Sequence, residues 1–195
     1  MTRKIYIHCD GGFGNRFNSL VTGLLIAQAG QYDPIILWPM TNWCRSSFTT
    51  IFKTKHRIIQ QDLSHFRGTA NDYKFLSHGQ FNIPSHIKVS HPSKFGSLGG
   101  VLNFIDMDNK DVVYNHDTIP EWASRERGLK KVVRGLEFTD DITSKANTFL
   151  EDHLAGLTGL HLRKTDFFGP HMANFDELES KVSTDKDTQY FICSD

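Results

Sequence analysis

The sequence is short of several things. Its 22 basic and 22 acidic side chains cancel, so the chain lacks the cationic excess that drives sequence-independent phosphate binding, and no nucleic-acid partner is expected. Cysteine is scarce: Cys9, Cys44 and Cys193 are odd in number and widely separated. That pattern excludes a disulfide framework and reads as reduced thiols in a reducing compartment. Long apolar runs are missing too, since no stretch approaches the roughly 18 residues that a membrane span needs. Only Ile5, Tyr6 and Ile7 run together before His8, Cys9 and Asp10, too few for the core of a secretory signal. A soluble, cytoplasmic protein is the expectation. What the chain does have is 38% hydrophobic and 12% aromatic residues, with 15 Phe among its 195, enough to build one domain or one and a half.

Along the chain, residues 3–9 alternate and then become apolar, the pattern of a buried first strand, and Gly11, Gly12 and Gly14 follow at once. From Arg16, the side chains of Phe17, Leu20, Val21, Leu24 and Leu25 recur at helical spacing, and Gly30 marks the expected end. Ile35-Ile36-Leu37-Trp38 then reads as a second strand stopped by Pro39, completing a βαβ unit. Residues 40–100 show little periodicity. Short strands are expected at Ile87–Val89, Val101–Ile105 and Val112–Tyr114, with 97–100 as a loop. Thr139-Asp140-Asp141 opens a second helix, because its acids suit a positive helix N-terminus and Ile142, Ala146, Phe149 and Leu150 follow on one face. A strand ending in His161-Leu162-Arg163-Lys164-Thr165-Asp166, a helical piece over Asp176–Val182 and a strand ending in Ser194-Asp195 complete the chain. The class is α/β. The expected division is a Rossmann-like domain over 1–138 and, over 139–195, a linking helix with the start of a second such domain.

Ligands of open α/β sheets bind at the carboxyl ends of strands, and three of these strands end in chemistry: Gly11–Arg16, His161–Asp166 and Ser194-Asp195. The glycine turn is not a dinucleotide fingerprint, because Phe17 stands where G-x-G-x-x-G counted from Gly12 needs its last glycine, and the strand ending at Trp38 carries no terminal acid. Nor does Gly-Lys-Ser/Thr follow, which excludes a Walker loop. What remains is a tight turn whose amides can approach an anion or a sugar, or a turn that only reverses the chain. Strand alternation puts His161 and Arg163 on one face, and Arg163 is a fixed cationic fork suited to phosphate. The bland alternative is an ion pair between Arg163 and Asp166. Asp106 and Asp108, at i and i+2, could instead ligate a divalent ion bridging a diphosphate, although Asn109-Lys110-Asp111 continues like an ordinary surface turn. The histidines of the 56–91 stretch show no metal-ligand spacing.

Taken in order, Gly11-Gly12-Phe13-Gly14-Asn15-Arg16, His161-Leu162-Arg163-Lys164-Thr165-Asp166 and Phe191-Ile192-Cys193-Ser194-Asp195 resemble the fucosyltransferase superfamily of α-1,2, α-1,6 and protein O-fucosyltransferases. The resemblance implies a GT-B-like fold of two Rossmann-like domains and metal-independent, inverting transfer from GDP-fucose to a glycan or other hydroxyl acceptor, with no cofactor. It implies that Gly12, Gly14, Asn15 and Arg16 line the donor side and that Arg163 meets the β-phosphate. His161 would then sit beside the phosphate or the fucose, with Thr165, Asp166, Ser194 and Asp195 near the nucleotide. Lys164 stands where the family often has a second arginine. The family's donor domain continues beyond the Ser-Asp segment, so a chain shortened at its C-terminus is also implied. Two other readings stay open: a non-enzymatic remnant acting as a binding module, and a metal-dependent GT-A-type transferase using Asp106 and Asp108.

Overall fold

The structure, a computed structural model, describes residues 2–60, 72–77, 89–154, 156–162, 180 and 188–194. The chain divides into two compact units, 1–139 and 140–195.

The first unit runs β1 (Lys4–His8), α1 (Phe13–Gly30), β2 (Asp33–Leu37), α2 (Phe48–Ile51), β3 (Phe52–Lys53), β4 (Arg57–Ile59), β5 (Tyr73–Ser77) and β6 (Val89–Ser90). It continues through a 3-10 turn (Pro92–Lys94), α3 (Leu98–Asp106), β7 (Asp111–Asn115), α4 (Glu121–Ser124), α5 (Arg127–Arg134) and β8 (Glu137–Phe138). Six strands form one sheet in the order β4-β2-β1-β7-β5-β6. Every pairing in it is parallel. Parallel sheets are covered on both faces, and their strands read as continuous apolar runs. Accordingly Ile5 and Ile7 of β1, Ile35, Ile36 and Leu37 of β2 and Val112 and Val113 of β7 are all buried.

Helix α1 lies directly on the sheet because Gly23 lets it. A Cβ at Gly23 would stand 2.6 Å from Ile7 Cγ2, closer than packed atoms tolerate. The helix closes with Gln31 in the left-handed region (φ 56°) and the Tyr32 amide donating to the Ala27 carbonyl at 2.9 Å. The expected strand–glycine turn–helix–strand unit is therefore present, with β1 and β2 as parallel neighbours.

The expected strand at Val101–Ile105 is instead the middle of helix α3, and the expected loop at 97–100 is its start. Ser97 caps the helix, its hydroxyl accepting from the Gly100 amide at 3.2 Å. Val101 and Ile105, four apart, are its buried residues. A five-residue apolar run fits either period, and here the serine cap decides. Of the expected strand at 87–89, only Val89 falls among the described residues, at the start of β6. Strand β5 arises from a stretch with no assignment in the sequence reading.

In the second unit, α6 (Asp140–Phe149) runs into a π-helical turn (Leu150–Leu154), and β9 (Thr158–Leu162) pairs in parallel with β10 (Tyr190–Ser194). The expected helical piece at 176–182 lies outside the described residues apart from Ser180. Among the described residues, no helix is long and apolar enough to cross a membrane.

Candidate functional site

Strand β1 is the centre of the large sheet, and the chain leaves it toward β2 on one side while β7 flanks it on the other. The carboxyl ends of these strands define the ligand edge of such a fold. At that edge β1 runs into the glycine turn. Gly11 has φ +80°, a conformation that side chains resist, and a Cβ there would also press on Asn15 Nδ2 at 3.0 Å. Gly12 and Gly14 look onto open space, since a Cβ at either would meet nothing within 4 Å. Gly14 and Asn15 are exposed on the first turn of α1, and no side chain caps that helix start. The turn therefore offers backbone amides and the positive end of an 18-residue helix to whatever approaches it.

Arg16 has a different task from its neighbours. Its side chain is fully buried. Nε donates to the Gly11 carbonyl at 2.8 Å, Nη1 to the Pro39 carbonyl at 2.7 Å and Nη2 to Thr41 Oγ1 at 3.0 Å, while the guanidinium stacks over Trp38 at 5.0 Å. It bolts the glycine turn to the loop that follows β2. Asp10 supplies a carboxylate at the same place, its Oδ1 accepting from the Gly11 amide at 2.7 Å and lying 3.9 Å from Arg16 Nη2. The Asp10 side chain remains 43% exposed. Cys9, just before it, is fully buried, and burial pushes its thiol pKa far up, so it acts as packing and not as a nucleophile.

The edge also carries polar residues that the sequence reading passed over. His8 ends β1 and Asn115 ends β7, both buried, and Asn115 Nδ2 lies 2.8 Å from His8 Nδ1 and donates to the His8 carbonyl at 3.0 Å. Next along, Ser19 of α1 donates to the His116 carbonyl at 2.6 Å, and His116 Nδ1 bonds the Thr118 carbonyl at 2.7 Å. The available signal was the one used for the other strands: Val112-Val113-Tyr114 runs into Asn115-His116-Asp117, a fourth strand that ends in chemistry.

Asp106 and Asp108 do not form a metal site at this edge. Asp106 ends α3 and Asp108 follows it, both at the amino ends of the strands. Asp106 Oδ1 accepts from Arg3, just ahead of β1, at 2.5 Å and from the Tyr32 hydroxyl, and Asp108 pairs with Lys74 near the start of β5. Among the described residues, no cluster of three or more His, Cys, Asp or Glu could hold a metal. The metal-dependent reading built on this pair is set aside, because its carboxylates neutralise cations at the opposite edge from the glycine turn.

In the second unit, His161 and Ser194 stand at the carboxyl ends of adjacent parallel strands, in a register that pairs His161 with Cys193 and Leu162 with Ser194. Arg163, Thr165, Asp166 and Asp195 lie outside the described residues.

The first unit is thus an α/β domain of the Rossmann-like kind, with an open glycine turn on its ligand edge. No family model matches the sequence, and no curated protein does. Solved structures do. The whole chain superposes on 72% of the fucosyltransferase NodZ from Bradyrhizobium, with a TM-score of 0.56 and 16% identity. Against NodZ α-1,6-fucosyltransferase co-crystallised with GDP the TM-score is 0.57, and against the same enzyme soaked with GDP-fucose it is 0.56, at the same identity and coverage. At that identity the likeness is one of fold. The fold that the resemblance implied is therefore the fold of the structures to which this chain is similar.

Proposed function

We propose that this chain takes part in fucosyl transfer from GDP-fucose to a hydroxyl acceptor, by an inverting and metal-independent mechanism. The observation that carries the reading is the coincidence of two independent likenesses: three motifs in the order of the fucosyltransferase superfamily, and a fold similar over the full chain to structures of such an enzyme with GDP and with GDP-fucose.

The acceptor oxygen attacks the anomeric carbon as the bond to the β-phosphate oxygen breaks, so positive charge grows on the sugar and negative charge on the departing diphosphate. Electrostatic stabilisation of that leaving group is the largest contribution a protein can make to such a step. Arg163 is assigned to the β-phosphate, where its planar fork can donate two parallel hydrogen bonds. His161 is assigned a place beside the phosphate or the fucose, and Thr165, Asp166, Ser194 and Asp195 a place near the nucleotide. In the first unit, Gly12, Gly14 and Asn15 are assigned to the donor, and Arg16 keeps their turn in shape from behind. A general base is needed to take the acceptor proton. Asp10 and Asp166 are the candidates by position, and the partly exposed Asp10 carboxylate stands at the glycine turn.

The test is calorimetric titration of GDP into wild type and Arg163→Ala. Affinity should fall at least tenfold, about 1.4 kcal/mol, with the melting temperature unchanged. Equal affinity in the two proteins would overturn the donor-site assignment.

A further inference from the structure

Asn115, His116 and Asp117, at the exit of β7, hold the glycine turn at both of its ends. Ile7 of β1 stands opposite Tyr114 of β7 in a parallel register, so the two strands leave the sheet side by side as His8 and Asn115. Asn115 Nδ2 lies 3.0 Å from the His8 carbonyl and 2.8 Å from His8 Nδ1. Past the turn, Asn18 Nδ2 donates to the Asp117 carbonyl at 3.0 Å and Ser19 Oγ to the His116 carbonyl at 2.6 Å. The segment 9–17, which carries Gly11, Gly12 and Gly14, is therefore a loop closed on residues 115–117.

The chemistry of this clamp fixes where a proton sits. A backbone carbonyl only accepts, so the Asn115 amide must turn its nitrogen, not its oxygen, toward His8. That NH2 group has two hydrogens and accepts nothing. With one hydrogen on the His8 carbonyl, the other meets Nδ1, which must offer a lone pair. An imidazole with a bare Nδ1 is neutral and carries its proton on Nε2. Both side chains are buried, so water does not compete for these bonds. The arrangement has a cost, because Asn115 Oδ1 is buried without a hydrogen-bond partner among the described residues. A position serving packing alone would hold an apolar side chain, as buried Val113 does two residues earlier on the same face of β7.

We infer that Asn115 is a positioning residue for the glycine turn, locking His8 as the neutral Nε2–H tautomer and pinning the base of the turn to β7. It acts through His8 and the backbone, not by touching a ligand. Amides held in place in this way bind without the entropy cost of ordering them. The lock and the pin follow from the hydrogen bonds alone; their service to a GDP-sugar rests on the fucosyl-transfer reading.

The test is made on the full chain carrying isotopically labelled histidine, with the ring-nitrogen resonances recorded by NMR at neutral pH. His8 is identified as the signal lost in His8→Gln. Its Nδ1 should be bare and its Nε2 protonated. In Asn115→Ala the His8 nitrogens should move toward the averaged shifts of exchanging tautomers. The amides of segment 9–17 should then exchange with deuterium about tenfold faster or more, while those of β2 keep their wild-type rates. A wild-type His8 protonated on Nδ1, or on both nitrogens, overturns the inference whether or not any variant folds. So does an Ala variant with the wild-type tautomer, or with unchanged exchange in the turn. GDP affinity separates this claim from the fucosyl-transfer reading. Where wild type binds GDP, Asn115→Ala should bind it about fivefold or more weakly, and equal affinity would overturn the positioning role. A locked His8 in a chain that binds no GDP sinks the transferase reading and spares the clamp.

Discussion

The two edges of the six-stranded sheet are held by opposite means. At the amino edge, partly exposed carboxylates take cations and an amide: Arg3 with Asp106, Lys74 with Asp108, and the Lys4 amide with the Asp111 carboxylate at 2.7 Å. At the carboxyl edge a buried cation, Arg16, is held mainly by neutral oxygens of the backbone and of Thr41, under a turn whose Gly12 and Gly14 face open space. Exposed ion pairs contribute little and can be exchanged, whereas a buried guanidinium is strongly destabilising to disturb, because its acceptors cannot turn to water. The amino edge fastens strands. The carboxyl edge preserves the shape of an opening, with its polar groups satisfied from behind so that the amides in front stay available.

That contrast can be broken by mutation. Arg16→Leu should have the largest effect, about 3 kcal/mol or more in urea unfolding, since it leaves the Gly11 and Pro39 carbonyls buried without their donor. A loss below that of an exposed pair would erase the distinction between the edges. Asp106→Asn should cost under about 1 kcal/mol at neutral pH, because half of the Asp106 side chain faces solvent. The Tyr32 hydroxyl and the Arg3 guanidinium hold the Asp106 carboxyl below its ordinary range. Its contribution is accordingly present above the ordinary aspartate value of 3.8 and lost as pH falls through the depressed one. The stability gap between wild type and Asp106→Asn should close on acidification, and a gap that widened would contradict the pairing.

The first forty residues were legible because each local signal agrees with the fold: an apolar strand, a turn with a left-handed glycine at Gly11, a helix and a second apolar strand; the helix differs from the expected one-faced packing in being buried almost all round from Ser19 to Ala27. Val101–Ile105 misled because a short apolar run carries no period of its own, and Ser97 was the decisive mark. Strand β5 and helices α4 and α5 escaped because their residues mix charge with apolar groups and their places are set by tertiary packing; in α5 only Leu129 and Val132, both partly buried, pack against the core. Within the site, the glycines could be read as an opening, but Arg16 could not be read as a buried brace. Its partners at Pro39 and Thr41 lie more than twenty residues away, and no spacing rule reaches them. The pairing of His8 with Asn115, 107 residues apart, is hidden for the same reason.

The most direct measurement is a thermal-shift comparison of GDP-fucose, GDP-mannose and UDP-sugars at matched concentrations, without added metal and again with chelator. Binding to the native state raises the melting temperature in proportion to the logarithm of ligand over Kd. A rise with both GDP-sugars, greatest for GDP-fucose and unchanged by chelator, is the predicted result. A rise with UDP-sugars alone, or none with any GDP-sugar, would contradict it.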